Sequence, residues 1–130
     1  MDILECLGTN LKDFFSESAE EKLVFGPQDY PVKEDDSGSV TWLVPSAQKN
    51  SMEPILVSIN PGASLEEDDP HEGEEFGYVL SGKIVLHLGN SQKKCRKGDS
   101  FYFKPTMPHY IENTGKTPAL LLWVSTPPSF

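Results

Sequence analysis

The sequence predicts an all-β domain, in the form of a sandwich, a jelly roll or a small barrel, on three observations. From Val40 onward, short runs rich in Val, Ile, Leu, Phe, Tyr and Trp recur between turn residues. The turns are explicit, at Ser81-Gly82, Gly89-Asn90 and Lys97-Gly98-Asp99. No long helical pattern intervenes, which argues against the βαβ crossovers of a parallel sheet.

Taken in order, the chain starts with two short helical patterns. Ile3, Leu4 and Leu7 share one helical face, and Gly8 stops the helix in the left-handed region. Asn10 suits an N-cap, with Asp13 near the positive helix end, and Leu11, Phe14 and Phe15 give a second apolar face. Neither helix can bury its face alone. Residues 16–38 are polar and acidic, with room for strands at Leu23–Phe25 and Tyr30–Lys33 and a turn at Ser37-Gly38. The strands expected next are Val40–Val44, Ile55–Ile59, Phe76–Leu80, Lys83–Leu88, Lys93–Arg96, Ser100–Phe103, Tyr110–Glu112 and Ala119–Ser125.

The chain has 130 residues, enough for one domain with a short appendage, and 37% of them are hydrophobic, which excludes a disordered chain. No apolar run reaches the length of a membrane-spanning helix, and the N-terminus lacks the basic region of a signal peptide. Two cysteines, Cys6 and Cys95, without secretion signals fit free thiols in a reducing cytoplasm. Lys94 and Arg96 flank Cys95 and would favour its thiolate, although an ordinary strand cysteine is the plainer reading. The net charge of −9 argues against DNA binding by this chain itself. The charge is unevenly spread: residues 1–80 hold 18 acids against 4 lysines, and residues 81–130 hold 2 acids against 7 bases. The densest acidic run, Glu66 to Asp69 with Glu72, Glu74 and Glu75, encloses His71.

That histidine begins the chemistry. On a straight strand His71 and Glu75 would stand about 13 Å apart, too far to share an ion. A turn at Glu72-Gly73 would instead set them facing across a hairpin, with Cβ atoms about 5 Å apart. Pro108-His109 can bring a third ligand from a distant strand. Two imidazoles and one carboxylate match the facial triad of non-haem iron, and zinc with an open position, manganese or nickel also suit such donors. His87, mid-strand between Leu86 and Leu88, reads as a packed or surface strand histidine.

The segment from Pro61 to Asn113 resembles the cupin family. His71-x3-Glu75-x6-Gly82 fits the second half of the first cupin motif, and Gly98, His109 and Asn113 fall at the spacing of the second. Asp69 stands where the motif's first histidine belongs, and Lys104 and Thr106 replace its proline and glycine. The resemblance implies a double-stranded β-helix, the cupin jelly-roll barrel, over residues 19–130. It implies metal ligands His71, Glu75 and His109, with Asp69 as a possible fourth, for one divalent ion: Fe, Mn, Ni or Zn. In a metal-free cupin the same side chains would form a polar floor for an organic ligand. The pocket residues it implies are Tyr78, Phe101, Phe103 and Asn113.

Residues 2–16 look like the end of an XRE-type helix-turn-helix domain, so residues 1–18 are expected to be its remnant and linker helices. The whole then resembles the sensor half of a bacterial transcriptional regulator. The expected partners are a small effector of polyamine or amino-acid type and a second copy of the chain, with DNA reached only through a missing N-terminal domain. Expected contacts between copies are the first strand after residue 20 and the helices around Phe14-Phe15. The competing expectation is a small metal-dependent enzyme, such as a dioxygenase, isomerase or epimerase.

Overall fold

The computed structural model describes residues 22–130. Both expected N-terminal helices and Cys6 lie outside the described residues. Nine strands run through the rest: β1 Val32–Asp35, β2 Gly38–Trp42, β3 Glu53–Ile59, β4 Glu74–Ser81, β5 Lys83–Leu88, β6 Ser91–Arg96, β7 Ser100–Phe103, β8 His109–Glu112 and β9 Ala119–Thr126. They form a six-stranded sheet in the order β1-β2-β3-β9-β4-β7 and a three-stranded sheet in the order β6-β5-β8. Every pairing is antiparallel. The extended stretch from Ser64 to Asp68 borders β8 through isolated bridges to Glu112 and His109, and so prolongs the smaller sheet.

The all-β expectation holds, and the differences have local causes. Leu23–Phe25 is not a strand; Leu23 and Val24 are largely exposed and lack a strand partner among the described residues. The strand expected at Tyr30–Lys33 begins two residues later, because it pairs with β2 across a turn after Asp35 that aligns Asp35 with Gly38. The Gly89-Asn90 turn joins β5 to β6, with Leu88 facing Ser91. The hairpin expected between His71 and Glu75 does not form. The backbone N–H of His71 donates to the Pro105 carbonyl at 2.8 Å, and Asp68 and His109 exchange backbone bonds. His71 therefore arrives on the segment beside β8 and crosses at Gly73 into β4.

Alternation fixes the core. In β3, Ile55, Val57 and Ile59 face inward while Pro54, Leu56 and Ser58 are half-buried, and β9 repeats the pattern with Ala119, Leu121 and Trp123. Ile84, Leu86, Cys95, Phe103 and Ile111 from the other strands complete one cluster between the sheets. Each such aliphatic side chain contributes about 1.5–3 kcal/mol by leaving water. Burial, and then the nearby Asp99 carboxylate, pushes the Cys95 thiol up, so it is not the activated thiolate that its basic neighbours suggested.

The polar interior residues are not scattered. Glu53, Ser125 and Glu75 are buried neighbours on adjacent strands β3, β9 and β4, and His109 begins β8 on the facing sheet. One end of the barrel is thus lined by charge. Asn113 lies four residues beyond His109, about 13 Å along an extended chain, and closes the other end. Its carboxamide donates to the Ile59 and Thr117 carbonyls and accepts from Gly115 N–H.

Candidate metal centre at the polar end of the barrel

Glu75 occupies an inward position of β4, fully buried, because the strand's alternation turns Glu75, Gly77 and Val79 to the core. Its carboxylate is divided between two tasks. Oε1 accepts a 2.8 Å hydrogen bond from the buried Trp123 Nε1–H. Oε2 faces His71 Nε2 at 3.0 Å and His109 Nε2 at 3.2 Å.

The histidines are oriented from behind. His71 Nδ1 donates to the Glu72 carbonyl at 3.0 Å, and His109 Nδ1 donates to the Met107 carbonyl at 2.9 Å. A carbonyl only accepts, so each Nδ1 carries the proton, and in the neutral ring each Nε2 presents a lone pair. The Phe103 ring meets His109 edge-on, 5.2 Å between centroids, and limits its rotation. Three electron-rich atoms therefore converge within 4.8 Å of one another. His109 Nε2 is buried and has no hydrogen-bond partner among the described residues; its contact with Glu75 has ion-pair distance without hydrogen-bond alignment.

Such an arrangement calls for a positive charge at its centre, a proton or a metal ion. The donors fit an ion: two ligand atoms about 2.1 Å from a metal and at right angles stand about 3 Å apart. Three protein ligands also leave coordination positions open. Without an ion, protons substitute. Burial alone would lower the His109 pKa and is the largest influence, but the Glu75 contact, the Met107 carbonyl and the charges of Glu75 and Asp68 together raise it above the usual value.

The structure brings His71, Glu75 and His109 together. Asp69 is exposed; the preceding Asp68, half-exposed, places Oδ2 3.8 Å from His109 Nε2 instead. Burial raises the Asp68 pKa, with the two histidines opposing and Glu75 assisting. Of the expected pocket residues, Phe103 and Phe101 face the interior, Phe101 lying over Gly77 and edge-on to Trp123 at 6.2 Å. Tyr78 points outward from β4, and Asn113 has its polar atoms committed to backbone at the far end. His87 is also outside the barrel, bonded to Glu112 at 2.8 Å and stacked on Tyr110 at 4.2 Å. Lys104 and Thr106 do not disrupt the second motif's turn, which still buries Pro105.

Sequence reasoning missed two residues. Trp123 holds Glu75, and Glu53 is a second fully buried carboxylate in the same row. The only sequence signal for Glu53 was an acid in phase with Ile55, Val57 and Ile59.

Comparison with known proteins bears on the fold and family. Residues 55–125 match the cupin domain family. The chain is 30% identical over 131 aligned residues to the HTH-type transcriptional regulator PuuR of Escherichia coli, an alignment covering 98% of this chain and 71% of that protein. The crystal structure of the cupin domain of an XRE family transcriptional regulator from Enterobacter cloacae superposes with a TM-score of 0.64 at 21% identity, over 72% of this chain and all of that one. A Lactobacillus farciminis oxalate decarboxylase, solved as a formate complex, gives 0.69 at 25% identity over 82% of this chain and 33% of that one. The two-sheet barrel, its matched motifs and its homology to a helix-turn-helix regulator together make this chain a member of the cupin family.

Proposed function

We propose that this chain is the effector-binding and dimerising domain of a transcriptional regulator, and that it binds a small molecule at a divalent metal held by His71, Glu75 and His109. The observation that carries this reading is the partnerless buried Nε2 of His109, facing Glu75 and His71, in a chain homologous to PuuR over nearly its whole length. A metal bound there would supply a Lewis-acid point to which an effector's oxygen or nitrogen coordinates. The protein's own side chains select what reaches it. Exposed Glu66, Glu67, Asp69, Glu72 and Glu74 surround the connection that carries His71, and their field favours a cationic ligand of polyamine or amino-acid type.

A regulator reading two DNA half-sites needs two copies. The outer face of the six-stranded sheet supports pairing with a second copy: Phe76, Tyr78, Leu80 and Tyr102 are between 38% and 58% exposed on strands β4 and β7. That face lies away from the strand after residue 20 that the sequence suggested. Effector binding regulates only if it favours one arrangement of the pair over another.

The test is calorimetric titration of chelator-stripped protein with Fe(II), Mn(II), Ni(II) and Zn(II), then with putrescine, spermidine and amino acids. Metal binding at one site per chain that disappears in His109→Ala, and amine binding that shifts the melting temperature, are expected. Heat-free titrations with every metal would refute the metal site. A second reading, a metal-dependent dioxygenase, isomerase or epimerase, is favoured by the open positions that a three-ligand set leaves. Turnover of a candidate substrate by the metal-loaded chain, abolished in Glu75→Gln, would establish it.

A further inference from the structure

Glu53 is the least explained group in the molecule. It is a fully buried carboxylate with no cation beside it among the described residues, yet four donors satisfy it. Oε2 accepts from Trp42 Nε1 at 3.0 Å and Gln48 Nε2 at 3.2 Å. Oε1 accepts from the backbone N–H groups of Ser129 and Phe130, at 2.9 and 2.8 Å. A buried charge held by backbone amides costs free energy unless its partners stay in place, so Glu53 ties the 129–130 segment to β3.

What that segment delivers is a ring. Phe130 packs edge-on against Trp123, 5.0 Å between centroids, and Trp123 is the residue whose Nε1–H fixes Glu75 Oε1. Ser125, between Glu53 and Glu75 in the same interior row, adds a second tie through its hydroxyl, which donates to the Pro127 carbonyl and lies 2.6 Å from the Ser129 hydroxyl. A continuous set of contacts thus runs from Glu53 through Phe130 and Trp123 to the Glu75 carboxylate.

We propose that Glu53 and the Ser129–Phe130 segment form a latch that positions Trp123, and through it Glu75, so that latch closure and occupancy of the His71–Glu75–His109 centre are one linked equilibrium. The proposal rests on the metal-site reading above for its second half only. With the latch closed, Phe130 keeps the indole upright and Oε2 aimed at the two imidazoles. With it open, the indole can turn, Oε1 loses its donor and the carboxylate is free to rotate out of the cluster. By linkage, an ion on Glu75 then favours the closed latch by the same factor. Because Trp42 of β2 also bonds Glu53, the same equilibrium reaches the strand that pairs with the edge strand β1.

The experiment combines two readouts on the full chain. In the metal-free protein, hydrogen exchange of the Trp123 indole N–H is followed by NMR in wild type, Phe130→Ala, Phe130→Tyr and Glu53→Gln. In parallel, Co(II) affinity is measured by visible absorption in wild type, Phe130→Ala, Trp123→Phe and the double variant. Faster indole exchange in Phe130→Ala and Glu53→Gln, restored in Phe130→Tyr, is expected. So is a loss of about tenfold in Co(II) affinity for each single variant, as for other partners behind a metal ligand. The double variant should be no weaker than Trp123→Phe alone, since both act through one path. Unchanged indole exchange in Phe130→Ala, or losses that multiply in the double variant, would overturn the latch. Failure of the wild type to bind Co(II) at all would overturn the metal-site reading and the linkage, while the exchange data still decide whether the latch holds Trp123.

Discussion

His109 concentrates the chemistry of this protein in one ring. It is fully buried, its Nδ1 proton is committed to Met107, and its Nε2 faces Glu75 and, farther off, Asp68. Its raised pKa sets opposite pH trends for the two states of the site. In the metal-free protein a raised folded-state pKa contributes stability that is fully present below about 6.5, the unfolded value, and is lost as pH rises through the higher folded value. The melting temperature of the stripped protein should therefore fall across that window, and less so in His109→Gln. A metal bound at the proposed site would displace the same proton, so its affinity should rise over the same interval, which titrations at stepped pH will read. An affinity that stays level while the stripped protein's melting temperature falls would separate His109 from the metal. At the other end of the barrel, the buried Asn113 makes three hydrogen bonds to backbone. Asn113→Ala should cost about 3 kcal/mol in urea unfolding, at about 1 kcal/mol per bond, and leave metal affinity unchanged.

At the scale of elements, the connection from His71 into β4 decides whether the first histidine reaches the second. It turns at Gly73, whose φ of +117° is strained for any L side chain, and a Cβ there would meet the Thr126 carbonyl oxygen at 2.0 Å. Gly73→Ala should destabilise the fold by about 1–3 kcal/mol and also weaken metal binding, because relief of the clash moves His71 away from Glu75. On β4 itself, a Cβ at Gly77 would stand 2.1 Å from the Phe101 ring. Gly77→Ala should carry a comparable stability cost, measured by denaturant unfolding, since the ring is wedged against Trp123 and has little room to yield. Much of this is readable in the sequence: the strands and their turns follow from alternation and turn residues, and the grouping of His71, Glu75 and His109 from the resemblance to the cupin motifs. The hairpin expected between His71 and Glu75 did not, because local turn residues cannot reveal that His71 bonds Pro105, more than thirty residues on.

At the scale of the whole molecule, charge and apolar surface divide the labour. A net charge of −9 opposes attraction to the phosphate backbone, so the expected outcome of a gel-shift assay with duplex DNA at physiological salt is no retardation. The outward side chains of β4 and β7 instead suit a protein partner, since one contiguous set of Phe76, Tyr78, Leu80 and Tyr102 is larger than scattered exposed apolar residues warrant. Sedimentation equilibrium at micromolar concentration should give a dimer, converted to monomer by Phe76→Lys with the far-UV spectrum retained. A monomeric wild type would exclude that face.

By itself, the sequence determined the fold class and the positions of most strands, because period-two alternation and turn glycines are local and survive reading along a line; the three convergent donors it offered only through the resemblance of its motifs to the cupin family. The family resemblance, which implied a pocket role for Tyr78, did not weigh the pleat: alternation puts Tyr78 on the face opposite Glu75, toward solvent. Nor could it rank neighbouring acids: Asp69 held the motif position, while the bridge between Asp68 and His109 turned Asp68 to the histidine. Only the tertiary structure placed Glu53, Ser125 and Glu75 in one buried row and set Phe130 against Trp123, since those neighbours are made by strand order across a sheet, and strand order is a property of the closed barrel rather than of any segment within it.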